Sequence, residues 1–441
     1  MQIESIEINN FRCLKSFTIK IAPKVTVLIG KNGAGKTSLL SALKYALSVF
    51  FTNDKSIGDN MMAAGNPDLH IIKTESWDFY RDKNNNDQSS IDLSIKVSSN
   101  LYGKDLEWEY YKRSTSFASL YSSKYKDAYV KMMEEYRDSG KLPVFVYYSD
   151  CFPHKDSRMS DFARKSIMGQ GYMQRNFGFY KWDEDASCTT MWQNRLANSL
   201  IFQKTTNIPN AIIDEEVAYV CKKLIEFSDS NNQCLNDDFS IETVFPKYDG
   251  EKIYLFLSLK NGNEVMFAQL PAGYGRLYSI VLDLAYRMFV LKRGLDYEPQ
   301  GVVMIDEIDL HLHPSLEQEV IGRLTDTFHG LQFIVSTHSP SVLTRLKTKD
   351  TGCIIYKMRE DKAVELNDLY GADFTSTIYG AMETPLVQNE IKEEIDAIVR
   401  LTRKGKSHLA ENRKSELKKI VSDAKYDQLM EEIGQRLKQT I

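Results

Sequence analysis

Residues 30–37 read Gly-Lys-Asn-Gly-Ala-Gly-Lys-Thr, and this octapeptide decides the fold. It satisfies G-x-x-x-x-G-K-[ST] at every fixed position. Upstream, Lys24-Val25-Thr26-Val27-Leu28-Ile29 is a short β-branched run that reads as a buried strand. Downstream, Leu39, Leu40, Leu43, Ala46 and Leu47 recur at helical spacing. Strand, glycine loop and helix form the arrangement that turns successive backbone N–H groups toward one anion and adds the positive end of a helix. The expected cradle for nucleotide phosphates is Gly30, Lys31, Asn32, Gly33, Ala34 and Gly35, with Ser38 on the helix. Lys36 is placed to reach the β- and γ-phosphates, and the Thr37 hydroxyl to ligate Mg²⁺.

A second motif completes the chemistry. Gly301-Val302-Val303-Met304-Ile305-Asp306-Glu307 is an apolar strand ending in two carboxylates. Asp306 at the strand end suits Mg²⁺, which prefers oxygen ligands and keeps several waters. Glu307, one residue on, suits a group that orients and deprotonates an attacking water. The two motifs gain force together, because both strands can sit side by side in one sheet. Asp306 nevertheless lies 270 residues beyond Lys36, so a large insertion separates them.

The chain has 441 residues, with 42% hydrophobic and 26% charged, the balance of a globular protein of two or three domains. A net charge of −4 gives no global argument for nucleic acid. Six scattered cysteines without a C-x-x-C pair read as reduced thiols. No signal peptide and no long uncharged apolar window are seen, so a cytoplasmic protein without membrane contact is expected.

In chain order, strands are expected at 2–9, 17–21, 91–97, 106–111 and 142–148, with a helix at 120–139. Residues 150–210 show no sustained period and are read as a mostly helical insertion. A helix at 212–229 precedes a three-stranded meander at 241–247, 253–259 and 264–269, turned at Asp249-Gly250 and Asn261-Gly262. Helices follow at 277–293 and 316–328, strands at 301–305 and 331–335, a further segment at 341–346, a strand pair at 353–358 and 363–366, and a charged helical tail. The expected division is 1–150, an N-terminal part of the head with a β lobe; 151–240, the insertion; 241–366, the C-terminal part; and 367–441, the tail.

Three further stretches resemble the ABC ATPases of the RecF/SMC/OLD class. Ile6-Glu7-Ile8-Asn9-Asn10-Phe11-Arg12 is similar to that class's first strand and Asn-Phe-Arg turn. Leu270-Pro271-Ala272-Gly273-Tyr274-Gly275-Arg276 resembles its signature motif, and Ile334-Val335-Ser336-Thr337-His338-Ser339-Pro340 its His-switch strand. The resemblance covers residues 1–50 and roughly 253–345. It implies an α/β ABC-type P-loop NTPase head: a mixed central sheet with an antiparallel β lobe, a helical insertion and a helical C-terminal tail. It implies ATP and Mg²⁺ as cofactors, Arg12 near the nucleotide, His338 near the γ-phosphate or water, and Asp309 at a dimer seam. Ala272, Gly273 and Tyr274 would contact ATP on a second, head-to-tail subunit. Pro271 stands where the family has serine and can offer neither hydroxyl nor N–H, which weakens the expectation of fast hydrolysis. Gln170 and Gln174 are candidates for the family's Mg²⁺-sensing glutamine, without a choice between them.

His311-Leu312-His313-Pro314 reads as a structural turn rather than a metal pair, since no third ligand cluster is visible. No nuclease constellation stands out, and the tail is too short for the nuclease domain of OLD-type proteins. The chain most resembles the ATPases of Septu-type two-gene phage-defence systems, which implies an HNH nuclease as partner and nucleic-acid contact through the complex. The alternatives are a RecF-like ATPase acting directly on DNA and a nucleotide sensor of slow turnover. The tail helices, 390–404 and 407–419, are the candidate surface for docking or oligomerisation.

Overall fold

The computed structural model describes residues 1–54, 57, 62–81, 91–114, 120–153, 159–169, 171–183, 188–206, 209–229, 239–359, 362–366, 369–372, 389–421 and 423–438. Gln170, His154 and Cys234 fall outside them, as does the polar turn expected at 82–90. The chain forms two compact units, Met1–Ala372 and Asp373–Ile441.

Among the described residues the first unit is built on three sheets. Strands β1 (Gln2–Phe11), β2 (Leu14–Lys20), β4 (Leu93–Leu101) and β5 (Lys104–Lys112) make an antiparallel sheet in the order β2-β1-β4-β5. Strands β3 (Val25–Ile29), β6 (Val144–Tyr148), β10 (Gly301–Ile305), β11 (Leu331–Ser336), β12 (Cys353–Arg359) and β13 (Lys362–Glu365) make the central sheet, in the order β13-β12-β3-β11-β10-β6. All its pairings are parallel except β12 with β13. Strands β3, β6, β10 and β11 are buried at every position, as expected of a sheet covered on both faces. The meander is β7 (Ile241–Tyr248), β8 (Ile253–Leu259) and β9 (Glu264–Met266).

The helices are α1 (Lys36–Ser48), α2 (Lys126–Ser139), α3 (Asp161–Met168), α4 (Thr189–Thr205), α5 (Ala211–Ser228), α6 (Ala272–Lys292), α7 (Pro314–Glu317), α8 (Val320–Thr327) and α9 (Pro340–Thr344). The second unit holds α10 (Asn389–Arg403), α11 (Ser407–Ile420) and α12 (Asp423–Lys438). These three close on a core of Ile395, Ile398, Val399, Leu417, Leu429 and Ile433.

Several expectations are corrected. The glycine-loop strand β3 and the carboxylate strand β10 are not side by side: β11 lies between them. The helix expected from 277 begins at Ala272, because Pro271 supplies a fixed φ and an accepting carbonyl, taken by Gly275 N at 2.8 Å. Residues 316–328 form two short helices, with Glu319 bridging them. The helix expected from 120 starts at Lys126 after a 3₁₀ turn, and the last meander strand gives way to a 3₁₀ turn at Phe267–Gln269.

Buried polar pairs tie the helices to the central sheet. On α6, Asp283 accepts from Tyr148 Oη (2.7 Å) at the end of β6, from Trp192 Nε1 (2.7 Å) on α4 and from Arg287 Nε (2.6 Å). Trp192 stacks on Tyr286 with centroids 4.5 Å apart and planes 7° from parallel. Glu216 on α5 receives Arg195 Nε at 2.8 Å and the Tyr286 hydroxyl at 3.2 Å. With both partners of each pair buried and hydrogen-bonded, desolvation is offset locally.

Candidate nucleotide site

The loop between β3 and α1 needs glycine for two separate reasons. A Cβ on Gly30 would stand 2.8 Å from the Met358 carbonyl on β12, too close for any side chain. Gly35 caps α1 in a left-handed conformation, φ 94°, and a Cβ there would meet Cys13 Sγ at 3.1 Å. Lys36 is 6% exposed, and its ammonium donates to the carbonyls of Gly30 (2.8 Å) and Lys31 (3.3 Å). Burial lowers its pKa, against the raising effect of Asp306, Glu307 and Asp309. The ammonium at the helix start thus feels three carboxylates, which offset part of the cost of its burial.

The C-terminal ends of β3, β10 and β11 bring the motifs together at one edge of the sheet, where ligands bind in open parallel sheets. Thr37 Oγ1 donates to Asp306 Oδ2 at 2.7 Å across 269 residues of sequence. Ser336, at the end of the intervening β11, donates to Asp306 Oδ1 and accepts from Glu307 N at 2.8 Å. Ser336 therefore fixes both carboxylate residues. Sequence reading assigned it no role, although a serine closing the apolar run Phe333-Ile334-Val335 was the available signal. Glu307 leaves the strand with φ 49°, a conformation a β-carbon disfavours and that is held here by its bond to Ser336. His338 is exposed two residues past Ser336, and its N–H donates to Asp309 Oδ1 at 3.3 Å.

Arg12, also left-handed at φ 50°, is not a solvated loop charge. Its Nε donates to Asp78 Oδ1 (3.0 Å) and its Nη1 to Ser41 Oγ (2.9 Å) on α1. Asp78 is fully buried and also accepts from Tyr45 Oη (2.8 Å) and Glu75 N (3.0 Å). Burial first, then Asp78, pushes the Tyr45 phenol up, so it stays a donor. Nothing in the sequence around Asp78 marked it, because its partners come from two other elements.

Ala272, Gly273 and Tyr274 form the first turn of α6. Gly273 is buried against the turn after the carboxylates: a Cβ would stand 2.5 Å from the His311 carbonyl. Tyr274 packs its ring 4.3 Å from that of Phe239. Arg276, fully buried, donates through Nη2 to the carbonyls of Asp306 (2.7 Å) and Ser149 (3.3 Å). Burial lowers its pKa, and Glu307, Asp309 and Asp150 counter that. Its Nε has no hydrogen-bond partner among the described residues. The start of α6 and the end of β10 are thereby one rigid piece. His313 caps α7 by accepting from Ser315 N, and Gln174 lies exposed at the head of a 3₁₀ turn. Among the described residues no group of three or more ligating side chains forms a metal cluster, and no helix is long and apolar enough to cross a membrane.

A phosphate loop facing paired carboxylates across a sheet whose strands come from both ends of the chain defines an ATPase head of the ABC type. The chain belongs to the AAA ATPase domain family, whose model matches residues 1–343. It is 27% identical to a retron Vc95 probable ATPase of Vibrio cholerae over 74% of this chain and 67% of that one. It is 24% identical to the DNA replication and repair protein RecF of Azobacteroides pseudotrichonymphae, over 79% of this chain and 95% of that one. A Septu protein PtuA of Bacillus mycoides is 34% identical, over 25% of this chain and only 17% of its own length.

Proposed function

We propose that the protein is an ATP-hydrolysing clamp in which nucleotide joins two heads and thereby controls a partner effector nuclease in phage defence. The observation that carries the hydrolytic part is the direct Thr37–Asp306 contact beside Glu307. A hydroxyl and a carboxylate so close fit the oxygen donor set of Mg²⁺, which when bound neutralises developing charge on the phosphates. In this reading Lys36 and the N–H groups of residues 30–38 bind the phosphates, with Arg12 beside them. Glu307 takes a proton from water, and His338 lies against the reacting end. The Ala272–Tyr274 turn serves the nucleotide of a second copy, with Arg276 linking that turn to the chain's own Asp306 backbone.

The defence assignment draws on the likeness to the retron and Septu proteins and on the LPAGYGRL stretch. The nuclease is of the HNH kind in this proposal, and this chain cuts no nucleic acid itself. A second reading, a RecF-like ATPase acting on DNA, is favoured by the near full-length match to RecF. It requires DNA-stimulated turnover and binding that weakens steeply with salt.

The test is the mass of the protein in solution with and without ATP and Mg²⁺, for the wild type, Lys36→Ala and Glu307→Gln. A larger assembly with ATP, lost in Lys36→Ala and prolonged in Glu307→Gln, is expected. One fixed mass in every condition rejects the clamp.

A further inference from the structure

A cavity of about 500 Å³ opens at the far end of α1 from the phosphate loop. Thr52, Thr74, Tyr110, Lys112 and Tyr125 form its buried walls. Helix α1 runs for 13 residues, about 20 Å at 1.5 Å per residue, so this cavity is separate from the nucleotide site. Its walls are fastened to the end of that helix: Ile72 N donates to Ser48 Oγ at 3.1 Å, and Trp108 Nε1 to the Ala46 carbonyl at 2.8 Å.

Two groups in it are poorly met by the protein. Lys112 is 8% exposed, and among the described residues its ammonium makes one long bond, 3.4 Å to the Thr74 carbonyl. An ammonium carries three donors. By contrast Lys223, equally buried, meets Glu298 at 3.0 Å, Glu226 at 3.5 Å and the Thr327 carbonyl at 2.8 Å. Glu75 and Asp78 act on Lys112 from beyond ion-pair distance, and Asp78 is already committed to Arg12 and Tyr45. Burial lowers the Lys112 pKa, the mark of a cation short of counter-charge. The second group is the Thr74 hydroxyl, buried with no hydrogen-bond partner among the described residues. Water could satisfy that hydroxyl but would not neutralise a buried ammonium; an oxyanion does both. At the mouth stand exposed His70 and Lys73, opposite exposed Asp54, so the mixed rim leaves selection to the buried floor.

We propose that this cavity binds a small phosphate-bearing ligand, its oxyanion held by the Lys112 ammonium and the Thr74 hydroxyl. The Thr52 and Tyr125 hydroxyls, 3.4 Å apart on the same wall, supply further donors. The ligand is either inorganic phosphate or a phosphorylated metabolite, since both present the same group.

The experiment uses the full chain with Lys36→Ala, so that the phosphate loop does not compete. Inorganic phosphate and AMP are titrated calorimetrically into it, then into the same chain carrying Lys112→Met or Thr74→Val. Far-ultraviolet circular dichroism and thermal melting establish that each variant is folded; Thr74→Val, nearly isosteric, is the safeguard should Lys112→Met fail to fold. Saturable binding is expected, weakened about tenfold or more by Lys112→Met and about threefold or more by Thr74→Val. AMP binding more tightly than phosphate assigns the site to a phosphorylated metabolite, and equal affinity to inorganic phosphate. No binding of either probe, or binding that neither substitution changes, overturns the proposal.

Discussion

Glu307 and Ser336 show how much one hydroxyl does at this site. Ser336 bonds the Asp306 carboxylate and the Glu307 N–H together, and so holds Glu307 in its left-handed conformation. If Glu307 is the general base, Glu307→Gln will lower turnover by about 100-fold or more while ATP binding persists, measured by phosphate release and by nucleotide titration. Ser336→Ala removes two bonds without adding bulk; about tenfold slower turnover is expected, from roughly 1–1.5 kcal/mol of lost positioning, with binding little changed. Equal turnover in wild type and Ser336→Ala would exclude the positioning role. Much of this site was legible in the sequence. Lys36, Thr37 and Asp306 lie in short motifs whose spacing is dictated by backbone geometry. Asp78 was not legible, since its importance comes from Arg12 and Tyr45, which reach it from other elements.

The elements around the site explain where sequence reading stopped. The period of α6 was visible from Leu277 onward, but its first turn was hidden by a proline and two glycines, which usually mark loops. The order of strands was hidden too, because parallel strands with uniform apolar runs carry no record of their neighbours. Residues 150–210 gave no period because α4 is buried on several sides and held by polar anchors as well as by an apolar stripe. Those anchors are testable. Asp283→Ala leaves the Arg287 guanidinium buried and Tyr148 and Trp192 without their acceptor, and about 3–5 kcal/mol of stability should be lost. A denaturant titration measures it, and a loss below about 1 kcal/mol would show that the hub is dispensable. The turn joining β1 to β2 offers a chemical probe. Cys13 is exposed and its Sγ lies 3.3 Å from Ser38 Oγ on the phosphate loop's helix. Alkylation of Cys13 should slow when ATP is bound, while Cys221, whose thiol burial pushes up to about 12, should resist reagent throughout. Mass mapping of modified peptides reads both; ATP-independent labelling of Cys13 would place the nucleotide elsewhere.

At the scale of the whole molecule, the second unit has an apolar core of its own. Ile398, fully buried there, gives a clean test. Ile398→Asp should remove helical signal by circular dichroism while the first unit binds ATP as before; parallel loss of both would show the units to be energetically joined. The β3 strand carries a consequence for synthesis. Both its neighbours in the sheet, β11 and β12, arrive more than 300 residues later. The ribosome needs about 15–60 s to cover that distance at about 5–20 residues per second. Through that interval the nascent chain carries Val25–Ile29, apolar except for Thr26, without either of the strands it will pair with. Its yield in a cell should therefore depend on holding chaperones and on translation speed, and not on the stability of the finished head alone.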